Sequence, residues 1–272
     1  MKYEYGFIGC GNMGGAIADA VAKTVNGTRI AVSDHSKAKA ERLSDAYGIT
    51  CTSNEDIAES SRFIVLGVKP QMMGELLDGI SHILLRRANA GERFVMVSMA
   101  AGMSTEQIAK LAGGEYPVIR IMPNTPVSVG EGTVLYCANS AVTNAELEAF
   151  VAAMKCAGVL DALPEKLIDA GSAVSGCGPA FVALMIEALA DGGVECGLPR
   201  DKALLYAAQT FAGTAKLLIE SGKHPGKLKD EVCSPGGTTI KGMHALEAHG
   251  TRGAIYDAVV AAYEKSLEFA KK

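Results

Sequence analysis

The chain has 272 residues, 49% of them hydrophobic and 21% charged, with a formal net charge of −4. That length and apolar content exclude a disordered chain and leave room for one large or two ordinary globular domains. The slight acidity, with Lys and Arg scattered rather than gathered into a stripe, excludes nucleic acid as a partner class.

The N-terminus MKYEYGFIGCGNMGG carries no separate apolar leader core and runs at once into a strand predicted over Tyr3–Ile8, so no signal peptide is expected. A helix follows at Met13–Val25, with Ile17, Ala20, Val21 and Val25 at helical spacing. Strand Arg29–Ser33, helix Lys37–Tyr47, strand Phe63–Val68, helix Met72–Arg86, strand Phe94–Ser98, helix Thr105–Leu111 and strand Val118–Met122 repeat the alternation. Strands alternating with helices predict an α/β fold with a doubly wound, mostly parallel sheet. Strand Thr133–Cys137, helix Thr143–Met154 opened by a Thr143-x-x-Glu146 capping box, and strand Gly158–Ala162 close this half.

From Pro164 the pattern changes to Ala-rich helices at about 164–174, 179–195, 200–220, 236–248 and 251–270. The expected domains are therefore 1–163 and 164–272, the second all-α. Pro179–Val194 and Ala203–Ile219 are apolar on more than one face, an excess that dimerisation through this domain would cover. The most apolar run, Ala180–Ala190, contains Glu187 and is far shorter than the roughly 20 residues that span a bilayer. A cytoplasmic protein without a membrane partner is expected. The seven cysteines form no CxxC pair and no zinc-like spacing, so no disulfide framework and no metal site is expected. Cys10, Cys177 and Cys233, each in a glycine-containing loop, read best as small residues filling small spaces.

Gly9-Cys10-Gly11-Asn12-Met13-Gly14 is a GxGxxG placed directly between a strand and a helix, which predicts a dinucleotide site. Gly9 allows the turn, Gly11 the approach of the pyrophosphate, and Gly14 close helix packing. Asp34, at the end of the second strand, suits the ribose 2′-hydroxyl of NAD. Ser33, His35, Ser36 and Lys37 around it could instead wrap the 2′-phosphate of NADP. Lys69-Pro70 ends another strand at the edge where open α/β sheets bind ligands, although a lysine there is often plain surface. Ser98-Met99-Ala100-Ala101-Gly102 leaves room for a flat ring. In the helical half, Ser234-Pro235-Gly236-Gly237-Thr238-Thr239 precedes a helix and makes a nest of N–H groups suited to a carboxylate, with an ordinary N-capped loop as the alternative.

The segments FIGCGNMGGAI, GVKP, VSMAAG, RIMPNTP, SGCGPAF, ALADGGVECGLPR and HPGKLKDEVCSPGGTTIKG, in this order over the whole chain, resemble delta-1-pyrroline-5-carboxylate reductase. The resemblance implies an N-terminal Rossmann domain, a C-terminal helical dimerisation domain, and reduction of 1-pyrroline-5-carboxylate to L-proline with NADPH or NADH. It implies a homodimer through the C-terminal domain, or a homo-oligomer of such dimers. Its cofactor contacts fall on Ile8, Gly9, Cys10, Gly11, Asn12, Met13, Gly14, Ser33, Asp34, Asn54, Gly67, Val68, Lys69, Pro70, Met99, Ala100 and Ala101. Its substrate contacts fall on Glu165, Thr238 and Thr239, with Gly237 beside them and Thr239 as the residue nearest the chemistry. Glu231 stands where some relatives place a small amide. Two rivals share the layout: another dehydrogenase acting on a small hydroxy acid or open-chain imine, and a dinucleotide-binding sensor that does not turn over.

Overall fold

The first 162 residues supply eight strands that join one sheet in the order β3-β2-β1-β4-β5-β6-β7-β8 in a computed structural model that describes residues 1–270. The strands are β1 (Tyr3–Ile8), β2 (Ile30–Ser33), β3 (Thr50–Cys51), β4 (Ser61–Leu66), β5 (Val95–Ser98), β6 (Val118–Pro123), β7 (Gly132–Ala138) and β8 (Gly158–Ala162). All neighbours are parallel except β6 and β7. The first connection runs outward from β1 through β2 to β3, and the chain then returns to β4 on the other side of β1. The carboxyl ends of β1 and β4 thus flank a topological switch point, where ligands of such sheets bind.

Side-chain alternation explains the two helical layers. On β4, Phe63 and Val65 face one layer and Ile64 and Leu66 the other; on β5, Val95 and Val97 oppose Met96. The first layer holds α1 (Asn12–Ala22), α2 (Lys37–Tyr47) and α6 (Asn144–Met154), the second α3 (Asn54–Ser60), α4 (Pro70–Asn89) and α5 (Thr105–Leu111). Both sheet faces being covered, its strands read as continuous apolar runs.

The elements β3, α3 and α10 (Pro225–Val232) escape the sequence pattern. Helix α3 is only 7 residues long, with Ile57 and Ala58 as its buried pair, and starts from a Ser53 hydroxyl that accepts the Asp56 N–H. Too short for periodicity, it is visible only through that cap. Helix α10 starts from Pro225, behind a His224 ring that accepts the Gly226 N–H.

The capping box predicted at α6 is formed, and it is tied to a distant strand. Glu146 accepts the Thr143 N–H at 2.8 Å and also pairs with Arg93 at 2.7 Å, just ahead of β5. Burial opposes the Glu146 charge, but Arg93 and the Thr143 donors outweigh it and hold its carboxyl at about 2, below the ordinary 4.5. A depressed folded pKa contributes stability above pH 4.5 that is lost as pH falls towards 2. Glu146→Gln is therefore expected to cost roughly 1–3 kcal/mol at pH 7, with the gap to wild type closing in denaturant melts as pH falls through that window.

Two compact units are present: Met1–Cys177 together with the stretch from Ala262 on, and Gly178–Ala261. The sheet ends at Ala162, next to the boundary expected from sequence. The units part later, at Cys177/Gly178, because α7 (Glu165–Ser175) buries Ile168 against Met122, Leu135 and Cys137 of the first unit. The second unit contains α8 (Gly178–Glu195), most of α12 (Thr251–Ala270), and between them α9 (Arg200–Ser221), α10 and α11 (Thr238–Ala248). Its buried apolar residues are Ala190, Ala203 and Ala207, while Leu184, Leu205, Tyr206, Ile219 and Tyr256 are exposed. By length and composition the stretch Glu165–Glu195 could cross a membrane. It is broken at Gly176-Cys177, whose two N–H groups turn back onto the Ser172 carbonyl, into α7 and α8.

Candidate active site

The glycine-rich turn owes its shape to backbone meeting backbone. Gly9 follows β1 at φ +97°, and a Cβ there would stand 2.7 Å from the Gly67 carbonyl oxygen. A Cβ on Gly14 or on Gly67 would collide with the Gly9 carbonyl oxygen. The three residues are glycine so that the ends of β1 and β4 and the start of α1 can touch. Gly11 differs: nothing lies within 4 Å of the position its Cβ would take. That open space stands at the N-cap of α1, which has no side-chain cap and no acidic residue in its first turn. Free N–H groups and a positive dipole end facing open space are what a diphosphate needs. The residues present fit a dinucleotide.

Asp34 is 5% exposed at its side chain, and both its oxygens are engaged. Oδ2 accepts the Cys10 N–H at 2.7 Å and Oδ1 the Ser36 N–H at 2.8 Å. The carboxylate thereby ties the end of β2 to the glycine turn and keeps lone pairs for one further donor. Beside it opens a cleft of about 270 Å³ that brings together Ile8, Gly9, Ser33, Asp34, Asn54 and Val68 from the expected set. Glu55, Met72, Glu75, Leu76 and Ile80 also line it. Sequence reasoning missed Glu55 because α3 was not predicted; the other four lie on the helix predicted over Met72–Arg86 and were not singled out. The i, i+4 stripe Met72, Leu76, Ile80 on α4 was the available signal.

No Lys or Arg lines the cleft among the described residues. Lys69 is the N-cap of α4, with Pro70 at its first turn, and both are exposed. Burial and then the Asp34 charge push the Cys10 thiol up to about 12, leaving it an inert filler. Ala100 is fully buried and donates its N–H to the Ser98 hydroxyl at 3.3 Å, while Met99 is only partly buried and Ala101 exposed.

Glu165 lies elsewhere in the first unit, at the start of α7. It accepts the Thr105 N–H at 2.7 Å and the Thr105 hydroxyl at 3.0 Å, and stands 3.8 Å from Arg120. Arg120 is 4% exposed at its side chain and pairs with Asp169 at 2.6 Å. A second cleft, of about 620 Å³, has Arg120, Glu165 and Asp169 on its wall.

In the second unit, Gly236 takes φ +70° and Gly237 is the N-cap of α11. A Cβ on Gly237 would collide with the Ser234 hydroxyl. Helix α11 starts at Thr238 without a side-chain cap and with no acidic residue in its first turn. Thr238 and Thr239 therefore present free N–H groups and two hydroxyls at a positive helix end. Glu231, at the end of α10, is paired with Lys223 at 2.8 Å, so its charge is answered within the unit.

Two family models match successive parts of the chain. Residues 165–269 match the family model described as pyrroline-5-carboxylate reductase dimerisation, and residues 4–102 the one described as NADP oxidoreductase, coenzyme F420-dependent. A pyrroline-5-carboxylate reductase of Synechocystis is 42% identical over 275 residues, 100% of each chain. One from Pisum sativum is 40% identical over 98% of this chain and 96% of its own. The crystal structure of Plasmodium falciparum pyrroline carboxylate reductase with NADP bound superposes with a TM-score of 0.87 at 31% identity, over 99% of both chains.

Proposed function

The chain belongs to the pyrroline-5-carboxylate reductase family, and from that premise we propose how its residues divide the work of reducing 1-pyrroline-5-carboxylate to L-proline with a nicotinamide dinucleotide. The open Gly11 position ahead of an uncapped helix carries this reading, because it is a cradle for a diphosphate in a chain whose relatives are reductases over its full length. Bound dinucleotide supplies a hydride. Gly9, Gly11 and Gly14 admit its diphosphate, Ile8, Ser33, Asp34, Asn54 and Val68 enclose its adenosine end, and the Gly67–Pro70 and Met99–Ala101 segments back its nicotinamide. Gly237, Thr238 and Thr239 hold the substrate carboxylate through N–H groups and hydroxyls. A protonated ring imine is already electrophilic, so fixing its orientation supplies most of the rate.

The cofactor preference follows from charge. Asp34, Glu55 and Glu75 line the adenosine cleft. A 2′-phosphate would enter among these carboxylates with only the His35 ring on the same wall to answer it, and burying it there without cations costs several kcal/mol. A 2′-hydroxyl instead donates to Asp34. NADH is the preferred reductant. The exposed apolar faces of α8, α9, α11 and α12 pair two copies into a homodimer, which can assemble further, and the enzyme is soluble and cytoplasmic. Stopped assays of purified protein with pyrroline-5-carboxylate and each dinucleotide test this: proline formed with NADH supports it. Dinucleotide binding without turnover would make the chain a sensor, and turnover only on a hydroxy acid or open-chain imine would make it another dehydrogenase.

A further inference from the structure

We propose that Arg87 sets the width of the adenosine cleft by joining the two helices that wall it, and so acts as a positioning residue for the dinucleotide. The proposal rests on the reading of that cleft as the adenosine site. One helical wall is α3, with Asn54 and Glu55 in its first turn, and the other is α4, with Met72, Glu75, Leu76 and Ile80. Arg87 lies in the last turn of α4, and its side chain is 1% exposed.

Its hydrogen bonds all leave its own helix. Nη1 donates to the Ala58 carbonyl of α3 and, at 3.0 Å, to the Ser61 carbonyl at the start of β4, while Nη2 donates to the Arg93 carbonyl at 3.5 Å. The guanidinium also lies 5.1 Å from the centroid of the Phe94 ring. Ala58 belongs to the last turn of α3, where carbonyls run out of helix N–H donors and the dipole end is negative. A buried cation answers both needs there.

Helix α3 depends on such anchors. Its 7 residues fall well short of the roughly 12–15 at which a helix is even marginal alone, and it buries Ile57 and Ala58. Its first turn is held by the Ser53 cap and by Asp56, which accepts the Thr52 hydroxyl at 2.8 Å. Ile57 and Ala58 share an apolar layer with Leu77 and Ile80 of α4, but apolar burial is non-directional. A planar guanidinium fixes distance and angle. The neighbouring pair of Arg86 and Glu59 also spans the two helices, yet both side chains are exposed and such a pair contributes little. An apolar side chain of similar length would fill the Arg87 site without the cost of burying a charge. It would not hold the α3 carbonyl.

The test isolates the adenosine end of the dinucleotide. In Arg87→Met, which keeps the length and removes the donors, binding of NADH and of 5′-AMP to the full chain without substrate is expected to weaken about tenfold. Nucleotide fluorescence reads NADH directly and 5′-AMP by displacement. The KM for pyrroline-5-carboxylate at saturating NADH should stay within about twofold of wild type. Arg87→Lys, which keeps the charge and a donor, should recover part of both affinities. Arg86→Met, which breaks only the exposed bridge, should leave them within about twofold. If Arg87→Met fails to fold, Arg87→Lys and Phe94→Leu give a second reading, each expected to weaken NADH and 5′-AMP by about two- to threefold. Unchanged NADH and 5′-AMP affinity in the folded Arg87 variants would overturn the proposal, as would an equal loss in Arg86→Met or a change confined to the substrate KM. Absence of NADH and NADPH binding in the wild type would instead overturn the dinucleotide reading on which the proposal rests.

Discussion

Thr239→Ala raises the KM for 1-pyrroline-5-carboxylate at least about tenfold while the Kd for NADH stays within about twofold, because one hydrogen bond to a charged group contributes about 1.5–3 kcal/mol. The substitution is clean. Thr239 lies in the first turn of α11, behind Gly236 at φ +70° and Gly237 packed on Ser234. Alanine keeps the backbone N–H and suits a helix, so only the hydroxyl is removed. Initial rates over a range of substrate at saturating NADH measure the effect. Unchanged substrate kinetics would remove Thr239 from the site, whereas a fall in kcat at constant KM would move its role to the reacting ring.

Asp34→Ser shifts the ratio of kcat/KM for NADPH over NADH upward by about ten- to a hundredfold, a change of roughly 1.4–2.8 kcal/mol. The carboxylate removed is the one that ties the Cys10 and Ser36 N–H groups, at 2.7 and 2.8 Å, and that faces the adenosine cleft. Serine takes away the charge that repels a 2′-phosphate. Because Glu55 and Glu75 remain on the cleft wall, the shift stops short of full reversal. Loss of the hydrogen bond to the glycine turn costs about 1 kcal/mol of stability, readable as a lower melting temperature. Parallel assays at low dinucleotide concentration decide the matter. A wild type that prefers NADPH, or a ratio unmoved by the substitution, would end the electrostatic account.

Much of the cofactor site was legible because its glycines are spaced by the geometry they serve. Gly9, Gly11 and Gly14 could be given separate roles from position alone; in the structure Gly9 and Gly14 meet backbone and the Gly11 position is open. Gly67 could not: its need arises from touching Gly9 across two strands, which no local pattern encodes. Glu55 was hidden for a different reason, since the 7-residue helix that carries it has too little periodicity to be seen. Arg120 drew no reading of its own from the sequence, because its partners lie on α7. Glu231 looked anomalous in sequence, and Lys223, eight positions back across the start of α10, answers it.

The second unit buries three alanines as its core and leaves most of its leucines and both its tyrosines outside. Three methyl groups bury little surface against the entropy of ordering the 84 residues of Gly178–Ala261. A chain built this way has no first-order route to its finished state. Its refolding from denaturant should quicken with chain concentration, and its melting temperature should fall on dilution. Each copy then acts as a folding ligand for the next, so that the amount of enzyme in a compartment sets how much of it is folded.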